Sequence, residues 1–460
     1  MRKKILIFIL EIYSIKSFGQ LFVERVVTEV ITGSRELLVV DIDGNQSLDI
    51  LNINRFPNDN FVWIKNIDNA QAFASPIEIG AIENPAFFTA ADIDGDGDLD
   101  VVGTRVFQPN DLLVWFENVD GLGNFGSRNT IATITEGQAT VKAADLDGDL
   151  DMDIIVNSRD DEALAWYENL DGLGTFGPSQ IIISNYVTFT GLDVGDIDGD
   201  GDIDIVAGTN NLHRMAWFEN IDGAGNFSAP NPVSTPGLAI TRVILADIDS
   251  NNSLDIIGVS PASDLFVWYE NIDGLGSFST EKTISSTLDT PSTVIAADLD
   301  NDGDNDVAIT EGITDSVYWF ENTDGAGTFG SEQLVSSNLP FTISLAAGDL
   351  DNDGDIDLVS APQVENVIYW FENQTILGVQ DEDDFMFTIF PNPVQEVLRI
   401  QDNTSHAISK IYITTILGNV CTSRVKIEGQ IDVSELSAGI YFIIIDTLEG
   451  NRKIHKFIKQ

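Results

Sequence analysis

A nine-residue acidic stretch recurs through most of this sequence at an almost constant interval. Its clearest copy is residues 92–100, Asp-Ile-Asp-Gly-Asp-Gly-Asp-Leu-Asp. The seven copies start 51, 53, 51, 51, 51 and 51 residues apart. Their first residues are Asp41, Asp92, Asp145, Asp196, Asp247, Asp298 and Asp349. A period near 51 residues predicts one large repeat architecture rather than a set of unrelated domains.

The tryptophans keep the same interval, with one in each repeat and none left over. They are Trp63, Trp115, Trp166, Trp217, Trp268, Trp319 and Trp370. Most stand next to Phe or Tyr in a short apolar stretch, and neighbouring side chains of a strand point to opposite faces. We therefore expect the rings to pack between neighbouring sheets rather than to bind sugars. The Glu-Asn pairs that follow, such as Glu117-Asn118, are interpreted as turn chemistry.

Each repeat has the pattern of a four-stranded meander. In the repeat at residues 88–138, short apolar stretches predict strands at 88–92, 99–104, 112–118 and 125–134, separated by the acidic stretch, a polar loop and a Gly-rich turn. Seven such sheets can bury both faces only against one another. The predicted fold class is therefore all-β, a seven-bladed β-propeller of four-stranded blades.

The two ends of the repeat array complement each other. After Asn373 the seventh repeat stops without a fourth strand, whereas residues 22–30 form a strand that precedes the first repeat. We expect this N-terminal strand to complete the last sheet, which would otherwise keep an exposed edge.

The acidic stretch, called the aspartate loop below, has the ligand order of a loop that wraps a hard cation. Side-chain oxygens at positions one, three, five and nine and a main-chain carbonyl at position seven are available, and glycine at position six permits the sharp turn. This pattern predicts structural calcium sites. The complete copies contain Asp92, Asp94, Asp96, Asp98, Asp100, Asp196, Asp198, Asp200, Asp202, Asp204, Asp298, Asp300, Asp302, Asp304, Asp306, Asp349, Asp351, Asp353, Asp355 and Asp357.

Three copies depart from the pattern and are predicted to be weak or empty sites. Gln46, Leu150 and Asn252 replace the glycine, and Asn45 and Asn251 replace carboxylates. The weaker candidate ligands are Asp145, Asp147, Asp149, Asp151, Asp153, Asp41, Asp43, Asn45, Asp49, Asp247, Asp249, Asn251 and Asp255. The alternative for any loop is an acidic hairpin without metal, since Asp and Gly are common turn residues.

Charge and the N-terminus point to the outside of the cell. The net charge is −51, and 31 of the 74 acidic residues lie in the aspartate loops. Such a chain should repel nucleic acid and anionic membranes, and it suits a compartment with millimolar calcium. Residues 1–20 have the basic start and short apolar run of a secretory signal peptide, with no predicted transmembrane segment. Cys421 is the only cysteine, so disulfides are not expected.

Residues 21–375 resemble the FG-GAP/VCBS repeat family, which includes the propeller of integrin α-subunits and some propeller lectins. The complete aspartate loops, with Gly97, Gly201, Gly303 and Gly354 at position six, carry this resemblance. It implies a calcium-binding propeller.

A second domain is predicted at residues 387–460, after a linker at 376–386, from alternating strands typical of a small β-sandwich. Its motifs Phe390-Pro-Asn-Pro393, Leu417-Gly-Asn419 and Leu436-Ser-Ala-Gly-Ile-Tyr-Phe442, with a Lys-rich end, resemble the type A sorting domain of the type IX secretion system of Bacteroidetes. The resemblance implies that the secretion machinery is a partner and that the protein is secreted or surface-exposed.

Function is less constrained than fold. No nucleophile elbow, phosphate loop or zinc spacing occurs in the sequence. This favours a binding or adhesion module for a glycan or protein ligand over a catalyst. The protein is also predicted to be a monomer. The alternative is an extracellular polysaccharide-degrading enzyme, a lyase or hydrolase, because propellers host both functions.

The candidate ligand site lies on loops that differ in every repeat, on the side opposite the aspartate loops. Four of them carry arginine, and two carry phenylalanine, in a very acidic molecule. The predicted ligand-binding residues are Arg55, Phe56, Arg105, Phe107, Arg159 and Arg214. The alternative is that these loops vary because nothing constrains them.

Overall fold

The computed structural model describes most of both predicted domains. The described residues are 21–31, 33–55, 58–105, 111–134, 140–158, 163–184, 188–209, 215–234, 236–337, 339–374, 387–402, 408–415, 420–424, 430–434, 436–437, 439–447 and 452–459. The predicted signal peptide and linker lie outside these residues. The chain divides into two compact units, with the boundary between Thr375 and Ile376.

The described residues of the first unit form short strands and one single-turn 3-10 helix at Pro261–Ser263. The strands are β1 (Phe22–Thr28), β2 (Leu37–Val40), β3 (Asp49–Asn54), β4 (Asn60–Ile64), β5 (Asn66–Ile67), β6 (Ala72–Phe73), β7 (Ile77–Ala81), β8 (Pro85–Ala91), β9 (Asp100–Arg105), β10 (Asp111–Phe116), β11 (Asn129–Ile134), β12 (Val141–Ala144), β13 (Asp153–Ser158), β14 (Ala163–Tyr167), β15 (Gln180–Ile183), β16 (Phe189–Gly195), β17 (Asp204–Thr209), β18 (Ala216–Phe218), β19 (Asn231–Pro232), β20 (Arg242–Ala246), β21 (Asp255–Ser260), β22 (Leu265–Tyr269), β23 (Lys282–Ser285), β24 (Pro291–Ala297), β25 (Asp306–Glu311), β26 (Ser316–Phe320), β27 (Gln333–Ser336), β28 (Thr342–Gly348), β29 (Asp357–Pro362) and β30 (Ile368–Asn373).

These strands form repeated four-stranded antiparallel sheets, which confirms the predicted all-β class and is consistent with propeller blades. The sheets in chain order are β2-β3-β4-β7, β8-β9-β10-β11, β12-β13-β14-β15, β16-β17-β18-β19, β20-β21-β22-β23, β24-β25-β26-β27 and β28-β29-β30-β1. The first strands of the second to seventh sheets, β8, β12, β16, β20, β24 and β28, contact one another in that order. At the two ends of this series, β8 contacts β3 and β28 contacts β2, and both β2 and β3 belong to the first sheet. The described sheets therefore close into a ring.

The hydrophobic core lies between neighbouring sheets, as the tryptophan positions predicted. One cluster joins Phe87 and Trp115 of the second sheet to Ile154 of the third. The ring of Trp115 also touches the next sheet's turn, because a Cβ atom added to Gly174 would lie 2.4 Å from it. Glycine is required at this turn both for that close approach and for its φ of +76°.

Strand β1 supplies the outer strand of the sheet formed by β28, β29 and β30. It pairs antiparallel with β30, with Phe22 opposite Asn373 and Val26 opposite Tyr369. Phe22 is 2% exposed, and its ring makes an edge contact with Trp319 of the neighbouring sheet. The edge of β30 is therefore covered by residues from the start of the described chain.

The predicted fourth strand of the repeats begins too early. In the second sheet β11 starts at Asn129, not at Phe125, which makes only an isolated bridge to Asn118. The Gly126 amide donates to the carbonyl of Glu117 at 2.7 Å and belongs to the turn. Alternation of apolar residues cannot separate such a bridge from the strand that follows it.

The second unit contains two antiparallel sheets that share a buried core around Ile413, Ile443 and Phe457. One sheet has the order β31-β32-β35 and the other β34-β33-β36-β37. The strands are β31 (Phe387–Phe390), β32 (Val397–Asp402), β33 (Ile408–Thr415), β34 (Val420–Arg424), β35 (Gln430–Asp432), β36 (Gly439–Thr447) and β37 (Arg452–Lys459).

Candidate metal centres

The seven aspartate loops share one backbone conformation, including the three that depart from the full sequence pattern. In every loop the carboxylate at position one accepts the amide of position six at 2.7–3.1 Å. Position six has φ between 66° and 101° in all seven. Gln46, Leu150 and Asn252 adopt this left-handed region without being glycine, at a cost of about 1 kcal/mol each. Loop shape is therefore retained where metal affinity is predicted to be weak.

The carboxylates of each loop converge on a space that one cation could fill. In the second loop, oxygens of Asp92, Asp94 and Asp96 lie within 4.8 Å of one another. In four other loops the carboxylates at positions one, three and nine are equally close, as in Asp196, Asp198 and Asp204. Burial, followed by the charge of Asp96, raises the pKa of Asp94. Burial and neighbouring carboxylates likewise raise the pKa values of Asp300 and Asp351 to about 6. Concentrated negative charge of this kind is stabilised by a bound cation.

Position three gives the clearest sign that a cation is needed. One buried carboxylate oxygen in each of five loops has no hydrogen-bond partner; these belong to Asp43, Asp94, Asp147, Asp249 and Asp351. Burying an unsatisfied charged oxygen is unfavourable, and metal coordination removes that penalty. A donor set made only of carboxylate and carbonyl oxygens suits a hard cation such as Ca²⁺.

The aspartate at position nine also joins the loop to the third strand of its sheet. In every repeat one of its oxygens accepts the amide of position two at 3.0–3.3 Å. The other accepts the amide of the asparagine after the third strand's Trp-X-X segment at 2.7–2.8 Å. Burial raises the pKa of Asp204 and of five equivalents to about 7, and that of Asp255 to about 6.

That asparagine connects each sheet to the preceding one, a role that the sequence analysis did not identify. The asparagine also takes part in the turn, as the Glu-Asn pairs predicted, because the side-chain oxygen of Asn118 accepts the amide of Gly123. Its side-chain amide donates at 2.7–2.9 Å to the position-two carbonyl of the preceding sheet's loop. The seven bonds are Asn118 to Ile42, Asn169 to Ile93, Asn220 to Leu146, Asn271 to Ile197, Asn322 to Ile248, Asn373 to Leu299 and Asn66 to Leu350.

These bonds link the aspartate loops into a continuous ring. The bond from Asn66 to Leu350 joins the first repeat to the last, 284 residues away. The sequence signal was an asparagine three residues after every tryptophan. Each loop is therefore held to the next through a buried hydrogen bond.

The loops share a face with the Gly-rich turns between third and fourth strands. The side chain of Asp98, at position seven, faces the turn of its own sheet, because a Cβ atom added to Gly121 would lie 2.2 Å from its carboxylate. The same approach joins Asp151 to Gly172 and Asp202 to Gly223. The position-seven carboxylates therefore point to the turns, and the main-chain carbonyl is left as the ligand at that position.

The first loop differs because it contains an internal cation. Lys65 replaces the glutamate that precedes the buried asparagine in the other six repeats, and its ammonium forms an ion pair with Asp43. The hydrogen bond to Asp43 raises the pKa of Lys65, with added attraction from Asp49 and Asp41. In the second repeat the equivalent Glu117 instead adds negative charge near Asp94. Lys65 therefore supplies positive charge directly to the position-three carboxylate of the first loop.

We predict that Lys65→Glu raises the number of calcium ions bound per chain by one. The substitution removes the competing ammonium and restores the carboxylate found in the other repeats. Calcium stoichiometry from isothermal titration calorimetry and from elemental analysis of dialysed protein measures the effect. Arg128→Glu, at an exposed arginine, is the matched control for the same charge change. An unchanged count in Lys65→Glu would contradict this role of Lys65.

The predicted ligand-binding residues are only partly visible. Phe56, Phe107, Arg159 and Arg214 lie outside the described residues. Arg55 follows strand β3, and Arg105 ends strand β9, where its guanidinium lies 3.8 Å from the carboxylate of Glu83. Their role in ligand binding stays a prediction.

Two protein-family models match the sequence. The model described as FG-GAP-like repeat matches residues 41–103, 151–207, 196–258, 247–309 and 298–360. These matches cover more than half of the chain, which therefore belongs to the FG-GAP-like repeat family. The model described as secretion system C-terminal sorting domain matches residues 388–460. No curated protein matches the chain.

The family matches confirm both resemblances seen in the sequence. The protein is exported by type IX secretion to the cell surface or the extracellular space, and its C-terminal domain implies interaction with the secretion machinery. Within the part of the chain that the structure describes, no helix has the length and apolarity needed to cross a membrane.

Several solved structures are similar at low sequence identity. PorZ, a surface component of the type IX secretion system of Porphyromonas gingivalis, has a TM-score of 0.46 and 14% identity, over 92% of this chain and 59% of that one. The rhamnogalacturonan lyase YesW has a TM-score of 0.43 and 12% identity, over 77% of this chain and 76% of that one. The V. cholerae biofilm matrix protein Bap1 has a TM-score of 0.40 and 12% identity, over 76% of this chain and 89% of that one. This chain thus spans less than two thirds of the length of PorZ.

Proposed function

We propose that this exported repeat protein is a calcium-stabilised binding or adhesion module for a glycan or protein ligand. The observation that carries the calcium part is the set of buried position-three oxygens without hydrogen-bond partners, each beside other carboxylates. The unpartnered oxygens occur in complete and incomplete loops alike, so the strength of each site is proposed from the completeness of its ligand pattern in the sequence. The loops that begin at Asp92, Asp196, Asp298 and Asp349 are the proposed strong sites. Those at Asp145 and Asp247 are weaker, and Lys65 blocks the one at Asp41.

Bound calcium would supply positive charge to carboxylates that otherwise repel one another. Hydrogen bonds connect each loop to its surroundings. The position-nine aspartate accepts the amide of the asparagine that follows the third strand, and the side chain of that asparagine donates to the loop of the preceding sheet. The result is a stiff ring whose opposite face carries loops that differ between repeats. Ligand sites commonly occupy variable loops on a rigid scaffold.

Ligand binding is proposed on that variable face, at the arginine-bearing loops. Full-length protein in millimolar calcium should bind one or more members of a glycan array and a polysaccharide panel without releasing products. Arg55→Ala and Arg105→Ala should each weaken binding and leave the melting temperature unchanged, as should Arg159→Ala and Arg214→Ala. Unsaturated or reducing-end products would instead establish the enzyme alternative, and wild-type affinity in all four variants would place the ligand elsewhere.

A further inference from the structure

A basic cavity lies at the centre of the ring, away from the aspartate loops. Its volume is about 220 Å³, and the beginnings of the first strands of six sheets line it. Each first strand runs from this cavity toward its aspartate loop, so the cavity is at the opposite end of the strands. The charged residues in its lining are Arg35, Glu36, Lys142 and Arg242.

Two guanidinium groups from different sheets meet over one aromatic ring. The Cζ atoms of Arg35 and Arg242 lie 5.0 Å and 5.4 Å from the ring centroid of Phe87, which is itself buried. A phenyl face attracts both cations and fixes where their planes lie. Both arginine residues are half-buried, so part of each side chain is not covered by other protein atoms.

The acidic groups near the cavity are already engaged by the protein. Glu36 accepts the amide of Phe88 at 2.9 Å. Asp193 accepts the ammonium of Lys142 at 2.8 Å with one oxygen and the amide of Leu245 at 2.9 Å with the other. Among the described residues at the cavity, three cations therefore face two carboxylates. The local charge is +1 in a chain whose net charge is −51.

We propose that this cavity binds a small organic carboxylate, with a single uronate sugar as the type of ligand. A monoanion balances the local charge, whereas a dianion would leave an excess of negative charge. A planar carboxylate matches the fork of a guanidinium, and the aliphatic residues Leu192, Val243 and Val294 give the rest of the ligand an apolar wall. The volume is below the roughly 300–1,000 Å³ of sites for drug-sized molecules, as suits a single ring.

This site lies at the opposite end of the first strands from the calcium loops, and it extends the proposed function by assigning an acidic ligand. Of the arginines predicted from the sequence, the two that the structure describes, Arg55 and Arg105, are not part of its lining. Its position on the ring's central axis brings together residues from repeats that are far apart in the chain.

Isothermal titration calorimetry of the full-length protein in calcium buffer tests the proposal. Sodium galacturonate should bind, while galactose, galacturonic acid methyl ester and sodium sulfate at matched ionic strength should each bind at least tenfold more weakly. Arg35→Gln and Arg242→Gln should each weaken galacturonate binding at least tenfold. Arg128→Gln, at an exposed arginine, is the matched control and should keep wild-type affinity.

The neutral methyl ester keeps the test decisive if an arginine variant fails to fold, because it removes the ligand's charge without changing the protein. Equal binding of galacturonate and its methyl ester would overturn the proposal, as would tighter binding of sulfate or wild-type affinity in two folded arginine variants. The calcium dependence of the melting temperature is measured separately, so failure of this site and failure of the calcium proposal are distinguishable.

Discussion

Removal of calcium is expected to lower the melting temperature of the protein by on the order of 10 °C. A ligand that binds only the folded state adds RT ln(1 + [L]/Kd), about 2.7 kcal/mol per site at a hundredfold excess over Kd. Four strong sites would together add about 11 kcal/mol. Dividing this free energy by the large entropy of unfolding of a domain of this size gives a shift in melting temperature on the order of 10 °C. Without metal, the buried aspartates must instead take up protons or repel one another.

Differential scanning calorimetry in millimolar calcium and in excess chelator measures this shift. Asp196→Ala, in a complete loop, should remove a larger part of it than Asp247→Ala, at the same position of an incomplete loop. The two aspartates make equivalent hydrogen bonds to position six, at 3.1 Å and 2.8 Å, so the pair controls for loss of loop structure. Equal melting temperatures with and without calcium would contradict the calcium proposal.

The repeat architecture was predictable because its causes are local and recur seven times. Alternating apolar residues, the aspartate loops and the glycine turns each specify structure within a few residues, and repetition showed which of them matter. The hydrogen bond from Asn66 to Leu350 was not predictable in that way. It depends on how the first and last sheets meet, which no local pattern records.

The basic residues of the central cavity were not predictable from the repeat either. Arg35, Lys142 and Arg242 precede the first aspartate of their loops by different numbers of residues, so no period links them. Only closure of the ring places them together. The role of Lys65 was not predictable for a different reason. Lysine replaces glutamate at a single position of one repeat, yet this change places an ammonium group beside Asp43, a candidate calcium ligand.

Deletion of residues 21–31 is expected to abolish cooperative unfolding of the first unit or to cause aggregation. The deletion removes strand β1 and leaves the backbone groups of β30 as an exposed edge, which can pair with other chains. It also removes the contact of Phe22 with Trp319 and the hydrogen bond between Glu24 and Ser336, at 2.9 Å, which join β1 to the neighbouring sheet.

Point variants separate the packing of this strand from its backbone pairing. Phe22→Ala should destabilise the first unit by about 3–5 kcal/mol, the usual effect of truncating a buried phenylalanine. Val26→Ala, on the same strand but 52% exposed, should change stability by less than about 1 kcal/mol. Chemical denaturation in millimolar calcium measures both.

Deletion of residues 381–460 should leave the first unit's transition unchanged, because the two units have separate cores. If the chain lacking residues 21–31 unfolds as cooperatively as the parent, and at the same denaturant concentration, then β1 does not close the ring in solution.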